Sequence, residues 1–269
     1  MSLFCDGKLN ITKLKSAKEI LTKVSNALFI LSKSPVFNSR LAIGGTYHKK
    51  YYTYICKGFF NGLNTVFMQK NVQISEFVYN LKQNMCNFGI YFYKENNQLF
   101  LKIYAGNSFL IDINQQNFIE SYLNKNNIII NNKEKFEEFI NFYEKNYLKK
   151  ISLFNFEIES RNNHIQNQIE KYKLSQNCKI KIVIEKDLEY KILDEENNEL
   201  NKEKIFKNYK KSNSSDDEII KLINLTGEKK FVNKNYLLYN ELTNNFDVFK
   251  TLKYISWRVT NDKNHKKLV

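Results

Sequence analysis

The sequence predicts an α/β protein: mixed, largely parallel sheets with flanking helices, arranged as a larger first unit and a truncated second one. Three observations carry this. Short apolar runs of strand length alternate with longer runs at helical spacing between residues 12 and 104, the order that produces parallel pairing. The 269 residues are 42% hydrophobic and 14% aromatic, enough to bury a core and too aromatic for a disordered chain. No internal repeat or sustained heptad competes with that reading.

In chain order, residues 12–33 form a first helix, with Leu14, Ala17, Ile20, Leu21, Val24, Leu28 and Leu31 near helical spacing, and Ser34-Pro35 ends it. Residues 40–43 form a short apolar strand stopped by Gly44-Gly45. A second helix covers 49–63, with Tyr51, Tyr54, Ile55, Phe59 and Leu63 on one side. A strand at 65–68, a helix at 75–85 and strands at 88–93 and 99–104 follow, the last two separated by a polar turn at 95–98. The Asn-rich stretch 124–133 reads as a linker. Beyond it come a helix at 133–148 with Phe136, Phe139, Ile140 and Tyr143 on one face, a strand at 151–157, a helix at 164–174 and a strand at 180–184 beginning near Cys178. Residues 190–193 and 199–200 suggest a hairpin turned at Glu196-Asn197-Asn198. A helix near 203–209, a polar break at 210–217, one or two short helices and a strand-like 253–257 complete the chain. The partition is a first domain over 1–125, a second unit over 133–210 and a short remainder over 211–269.

No apolar run approaches the ~18 residues of a membrane span, and the N-terminus lacks the layout of a secretory signal. Cys5, Cys56, Cys86 and Cys178 make neither a C-x-x-C pair nor a disulfide framework, so small core residues in a reducing cytoplasm are expected. The net charge of +14 comes with 39 Lys, only three Arg and 39 Asn, a pattern that A/T-rich codons also produce. Its distribution is more informative. Residues 1–110 hold 14 Lys and Arg against four acids (Asp6, Glu19, Glu76, Glu95), while the rest of the chain holds 28 against 24. An anion-seeking N-terminal half follows, for a phosphosugar or a nucleic acid, with a solvated lysine face as the plainer alternative. The stretch Tyr47-His48-Lys49-Lys50-Tyr51-Tyr52 mixes cations and aromatics at a helix start, where backbone N–H groups also attract phosphate. His48, His164 and His265 have no partners at zinc-ligand spacing, and no P-loop or dinucleotide fingerprint is present.

Several stretches are similar to the α-D-phosphohexomutase superfamily, the phosphoglucosamine, phosphomanno- and phosphoglucomutases. Phe4-Cys5-Asp6-Gly7-Lys8-Leu9 stands where those chains carry F-G-T-D-G-I-R-G, and Ile43-Gly44-Gly45-Thr46-Tyr47-His48 where they carry V-G-R-D-T-R. Gly58 to Leu63 matches a glycine-bearing helix end before the strand at 65–68. Gly89-Ile90-Tyr91-Phe92-Tyr93-Lys94-Glu95-Asn96-Asn97 resembles the signature G-I-M-I-T-A-S-H-N-P, with Leu101 to Tyr104 in place of N-G-I-K. The metal loop, I-A-F-D-G-D-G-D-R followed by V-D-E-N-G, resembles Val183 to Tyr190 and then Leu193 to Asn198, with carboxylates at Glu185, Asp187 and Glu189. A faint echo of the phosphate loop lies at Arg258 to Lys267.

The resemblance implies a first unit like the family's domain I, a reduced domain II-like second unit, and transfer of a phosphoryl group from a phosphoserine to a hexose phosphate with Mg²⁺ bound by three carboxylates. The departures remove most of that chemistry. The nucleophile position is Glu95, which has no hydroxyl, and the neighbouring His is Asn96. Ser108 is the nearest downstream hydroxyl but lies off the motif, and the first-domain Arg positions are Leu9 and His48. In the metal loop, Lys186 and Leu188 replace residues whose freedom a tight loop uses, and Tyr190 replaces the closing Arg. About 60 residues follow Tyr209, too few for two more domains.

The sequence therefore predicts a degenerate, non-catalytic phosphohexomutase-like binding or scaffolding protein within a larger assembly, cytoplasmic and not membrane-bound. No cofactor is expected, apart from Mg²⁺ if Glu185, Asp187 and Glu189 still form a site. Gly44, Gly45, His48, Lys49, Lys50, Arg258 and Lys267 are the anion-binding candidates. The alternatives are a reduced phosphohexomutase using the carboxylate loop and a basic nucleic-acid- or ribosome-associated protein.

Overall fold

The structure is a computed structural model that describes residues 4, 7–32, 38–59, 64–124, 130, 135–151, 153–186, 189–200, 220–222, 230–232, 238–240 and 245–261. Two units divide the chain, Met1–Phe142 and Tyr143–Val269. The α/β class and the division into a larger and a smaller sheet are as the sequence predicts.

In the first unit the elements are β1 (Lys8–Asn10), α1 (Ala17–Leu31), β2 (Arg40–Gly45), α2 (Lys49–Phe59), β3 (Thr65–Lys70), α3 (Ile74–Gln83), β4 (Phe88–Glu95), β5 (Gln98–Ala105), α4 (Ile113–Leu123) and β6 (Glu137–Glu138). The sheet order is β1-β5-β4-β2-β3-β6. β2 pairs in parallel with both β3 and β4, β6 joins β3 in parallel, and β5 runs antiparallel to β4 and β1. The crossovers α2 and α3 lie on opposite faces. α1, α2 and α4 bury Leu21, Val24, Leu28, Ile55, Phe59 and Ile119 against Leu41, Ile43, Ile90, Phe92 and Leu101. α3 buries Phe77, Val78 and Leu81 against Ala42 and Tyr91 on the other face.

Gly44 and Gly45 do not stop β2 as expected; they are its last two residues. A Cβ at Gly44 would sit 2.3 Å from the Phe77 ring, so its missing side chain is what lets α3 approach the strand. Gly45 has φ +87, and a Cβ there would meet the Phe92 carbonyl oxygen at 2.0 Å. α4 is not among the elements the sequence predicts. It starts with a capping box: Gln115 N–H donates to the Asp112 carboxylate at 2.8 Å, and the Gln115 side chain accepts from the Asp112 N–H at 3.1 Å.

The helix expected over 133–148 is not formed as such. Residues 137–138 are β6, and the helical turn α5 covers only Phe142–Asn146. Phe136 packs with the α1/α2 core, while Phe139 enters the α3 core and rings with Phe67 and Phe77 at 5.7 and 6.4 Å. Residues three apart on a helix share a face, so only an extended segment can send these two to opposite sides of the sheet.

The second unit contains β7 (Glu157–Ser160), α6 (Asn163–Lys171), β8 (Lys181–Ile184) and β9 (Tyr190–Leu193), a three-stranded sheet ordered β7-β8-β9. β7 and β8 are parallel and linked by α6, while β9 returns antiparallel. The Asn162 side chain caps α6 by accepting from the N–H groups of His164 and Ile165 at 3.1 and 3.3 Å. β7 begins where the strand expected at 151–157 should end. Phe154 and Phe156 are buried and stacked, but the Phe154 N–H is spent on the Leu174 carbonyl rather than a ladder. The predicted turn at 196–198 is present, held by Asp194, which accepts from the N–H groups of Glu196 and Asn198 at 2.9 and 2.8 Å.

Four short antiparallel strands follow, β10 (Ile220–Leu222), β11 (Lys230–Val232), β12 (Leu238–Asn240) and β13 (Asn245–Phe246), and then α7 (Val248–Asn261). Residues 253–257, expected as a strand, lie inside α7. Val248, Phe249, Leu252 and Ile255 are buried at helical spacing, and Asp247 caps the helix by accepting from the Lys250 N–H at 3.0 Å. The expected helix at 203–209 and break at 210–217 lie outside the described residues. Cys56 and Cys86 are buried, whereas Cys178 is exposed ahead of β8 instead of starting it. No described helix is long and apolar enough to cross a membrane.

Candidate functional site

The carboxyl ends of β2, β3 and β4 lie side by side, with α2 and α3 leaving toward opposite faces. This is the switch point where open α/β sheets place ligands. The edge is tied together through backbone. Thr46 N–H donates to the Phe92 carbonyl at 2.8 Å, Asn71 N–H donates to the Gly45 carbonyl at 2.7 Å, and Tyr47 N–H donates to the Asn71 side-chain oxygen at 3.3 Å.

The fold brings the predicted residues Gly44, Gly45, His48, Lys49 and Lys50 to this edge. Lys49 and Lys50 are exposed on the first turn of α2, where free N–H groups favour an anion. Tyr52 is buried on the same helix and packs on Phe92 at 5.4 Å, so it belongs to the core. His48 lies 5.6 Å from the Tyr51 ring, and its Nε2 is buried without a hydrogen-bond partner. Burial, with a smaller contribution from the Lys94 charge, lowers its pKa below the usual 6.5. Lys70 places its ammonium 4.4 Å from the Tyr47 ring centroid.

Across the edge, the nucleophile position implied by the resemblance ends β4. Glu95 pairs in register with Gln98, and the connection is only Asn96-Asn97, with φ 49 and 59. Two central residues with positive φ make the tight turn that suits hairpin twist. The Glu95 carboxylate pairs with Lys8 on β1 at 3.4 Å. Ser108 lies beyond the other end of β5, is 2% exposed, and donates its hydroxyl to the Val78 carbonyl at 3.1 Å. Leu9 is a core residue.

The second candidate region is only partly described. Asp187 and Lys267 lie outside the described residues, and Arg258 is placed on α7 by its backbone alone. Glu185 gives its carboxylate to Arg161 at 2.9 Å, and its N–H donates to the Glu189 carbonyl at 2.7 Å. Among the described residues, no three His, Cys, Asp or Glu gather as a metal site.

Residue types alone do not single out Gln73, Ser75, Tyr93, Phe100 and Lys102. The Gln73 side chain, at the N-cap of α3, is 4% exposed with neither amide atom partnered, and the Ser75 hydroxyl is equally unsatisfied. The aromatic run Tyr91-Phe92-Tyr93 is the available signal, since alternation on a strand sends Tyr91 and Tyr93 to one face.

No protein-family profile matches the chain, and no curated protein does. Among solved structures it is similar to one from Thermus thermophilus provisionally described as a phosphomannomutase. The identity is 7% and the TM-score 0.46, over 70% of this chain and 55% of that one. It is also similar to a phosphoglucomutase/phosphomannomutase family protein from Burkholderia thailandensis, at 9% identity and a TM-score of 0.49, over 74% of this chain and 55% of that one. The likeness is remote, and the chain spans about half the length of these structures.

Proposed function

We propose that the chain is a non-catalytic binding protein built on a phosphohexomutase-like unit, with its ligand site at the carboxyl edge of β2, β3 and β4. The supporting observation is the β4–β5 turn. Eight register pairs run from Phe88↔Ala105 to Glu95↔Gln98, so the connection has no length for a catalytic loop and offers Asn96 and Asn97 in place of a hydroxyl. Phosphoryl transfer by a phosphoserine needs that hydroxyl in line with the incoming sugar. Glu95 instead braces the hairpin against β1 through Lys8. A role within a larger assembly is part of the same proposal. The proposal invokes no Mg²⁺; of the carboxylates expected in the metal loop, Glu185 pairs with Arg161 at 2.9 Å.

The test is phosphorus NMR of the purified chain with a hexose 1-phosphate, a hexose 1,6-bisphosphate primer and Mg²⁺. No hexose 6-phosphate monoester is expected to accumulate from the 1-phosphate, and intact mass should show no phosphoprotein. Turnover that Glu95→Ala abolishes would return the chain to the mutases. Without turnover, Glu95→Ala removes only a half-exposed ion pair and should change stability by about 0–1 kcal/mol.

A further inference from the structure

The two faces of the first sheet are covered unequally. α1, α2 and α4 pack on one, whereas α3 is the described helix on the other, and its strand partners are β2 and β4. The β4, β5 and β1 side of that second face carries a different surface. Register places Tyr93 opposite Phe100, Tyr91 opposite Lys102, and Lys8 opposite Lys102. Directly paired residues share a face, so these side chains form one patch. The rings of Tyr93 and Phe100 stack at 5.7 Å with 24° between their planes, and both are half-buried. The Lys102 ammonium lies 5.3 Å from the Tyr93 centroid. The Tyr93 hydroxyl oxygen has no hydrogen-bond partner.

The charge around this patch is uneven. Of the described acids within residues 1–110, Glu19 is engaged by Lys23 at 2.8 Å and Glu76 is fully buried, which leaves Glu95, paired with Lys8 at 3.4 Å. Lys102 is held near Lys8 with Glu95 as the nearby counter-charge. At the same corner Tyr91 donates its hydroxyl to the Val72 carbonyl at 2.9 Å, setting the α3 N-terminus beside the patch. Gln73 and Ser75 there keep buried polar atoms unpartnered.

We propose that this face binds single-stranded nucleic acid, with bases stacking on Tyr93 and Phe100 and phosphates drawn to Lys8, Lys102 and the α3 N-terminus. An aromatic pair on an open sheet meets the faces of bases, which a duplex keeps stacked on one another. The lysines supply the sequence-independent attraction to the backbone. This goes beyond the carboxyl-edge reading by assigning a ligand to the face of β4, β5 and β1, and the two fail separately, since mutase turnover and oligonucleotide binding are different measurements.

The experiment is fluorescence anisotropy of a labelled short oligouridylate with the full chain over a salt series, beside a duplex of equal length. Saturable binding is expected at low salt, with the single strand preferred. Lys102→Gln and Lys8→Gln should each lower the slope of log affinity against log salt by about 0.7. Phe100→Leu should weaken binding, and Phe100→Ala should do so by roughly 5- to 100-fold. Lys18→Gln, at an exposed position of α1 on the opposite face of the sheet, is the control and should leave affinity unchanged. Circular dichroism confirms folding, and Lys102→Gln alters no core residue if Phe100→Ala proves unstable. Absence of saturable binding, preference for the duplex, or an equal effect of Lys18→Gln and Lys102→Gln would each overturn the proposal.

Discussion

At His48 the fold sets a cost on protonation. Its ring is partly buried beside Tyr51, its Nε2 finds no acceptor or donor, and the Lys94 charge opposes a second cation. The folded pKa therefore lies below the unfolded value, and the unfolded chain takes up the proton first. Stability is full above the unfolded value of about 6.5 and falls as the pH drops through it toward the lower folded value. The thermal midpoint should decline across that window by more in the wild type than in His48→Asn, which has no ring to titrate. Equal declines in both proteins would show that His48 is protonated as easily folded as unfolded. The same low basicity bears on binding. A neutral His48 is a poor anion ligand near neutral pH, so the attraction at the carboxyl edge falls to Lys49, Lys50 and the α2 N-terminus.

At the scale of elements, the segment following Phe136 shows how a buried polar network replaces a helix. Glu76 on α3 is fully buried and accepts from Asn141 Nδ2 at 2.7 Å and Gln69 Nε2 at 3.2 Å. Asn80 donates to the Asn141 side-chain oxygen at 3.0 Å, and Asn84 donates to the Ile140 carbonyl at 2.9 Å. Asn141→Ala removes both side-chain links and should cost about 1–3 kcal/mol, because the partners stay buried. Urea unfolding measures this; a loss within error would mean that water or the remaining partners satisfy Glu76. These long-range bonds also explain what the sequence could not convey. Phe136, Phe139, Ile140 and Tyr143 have helical spacing, but the spacing cannot reveal two cores on opposite sides of a sheet edge. At α7 the mismatch runs the other way: residues 253–257 look strand-like alone, and only the wider pattern from Val248 to Ile255 exposes the helix. α4 is legible in its Asp112/Gln115 cap, but its apolar face is too weak to announce a helix. The parallel strands β2, β3 and β4 are easier, since each is a short apolar run next to a helical one. The candidate site is legible at Gly44-Gly45 and Lys49-Lys50, where local residue type suggests the chemistry. Tyr93 and Phe100 become neighbours only through β4–β5 register.

At the scale of the molecule, the two units have separate cores. The first buries Ile90 at the centre of its sheet, between Ile43 on β2 and Ile103 on β5, at 0% exposure. The second buries Ile158, Ile182 and Ile192 across its own three strands and Ile165 and Ile169 on α6. Ile90→Asp places a carboxylate where neither water nor a hydrogen-bond donor is at hand, a cost of several kcal/mol and comparable to the whole stability of a small domain. Hydrogen exchange followed by mass spectrometry should then show loss of amide protection through β2, β4, β5 and α1. Protection should persist in β7, β8 and α6, whose hydrogen bonds close among themselves. Loss of protection in both regions would mean that the second unit depends on the first for its fold. In that case the proposed ligand surface of the first unit could not have diverged without its neighbour. Retained protection in the second unit would instead mean that each unit is stabilised by its own contacts. The proposed ligand surface on the first could then change while the second kept its fold.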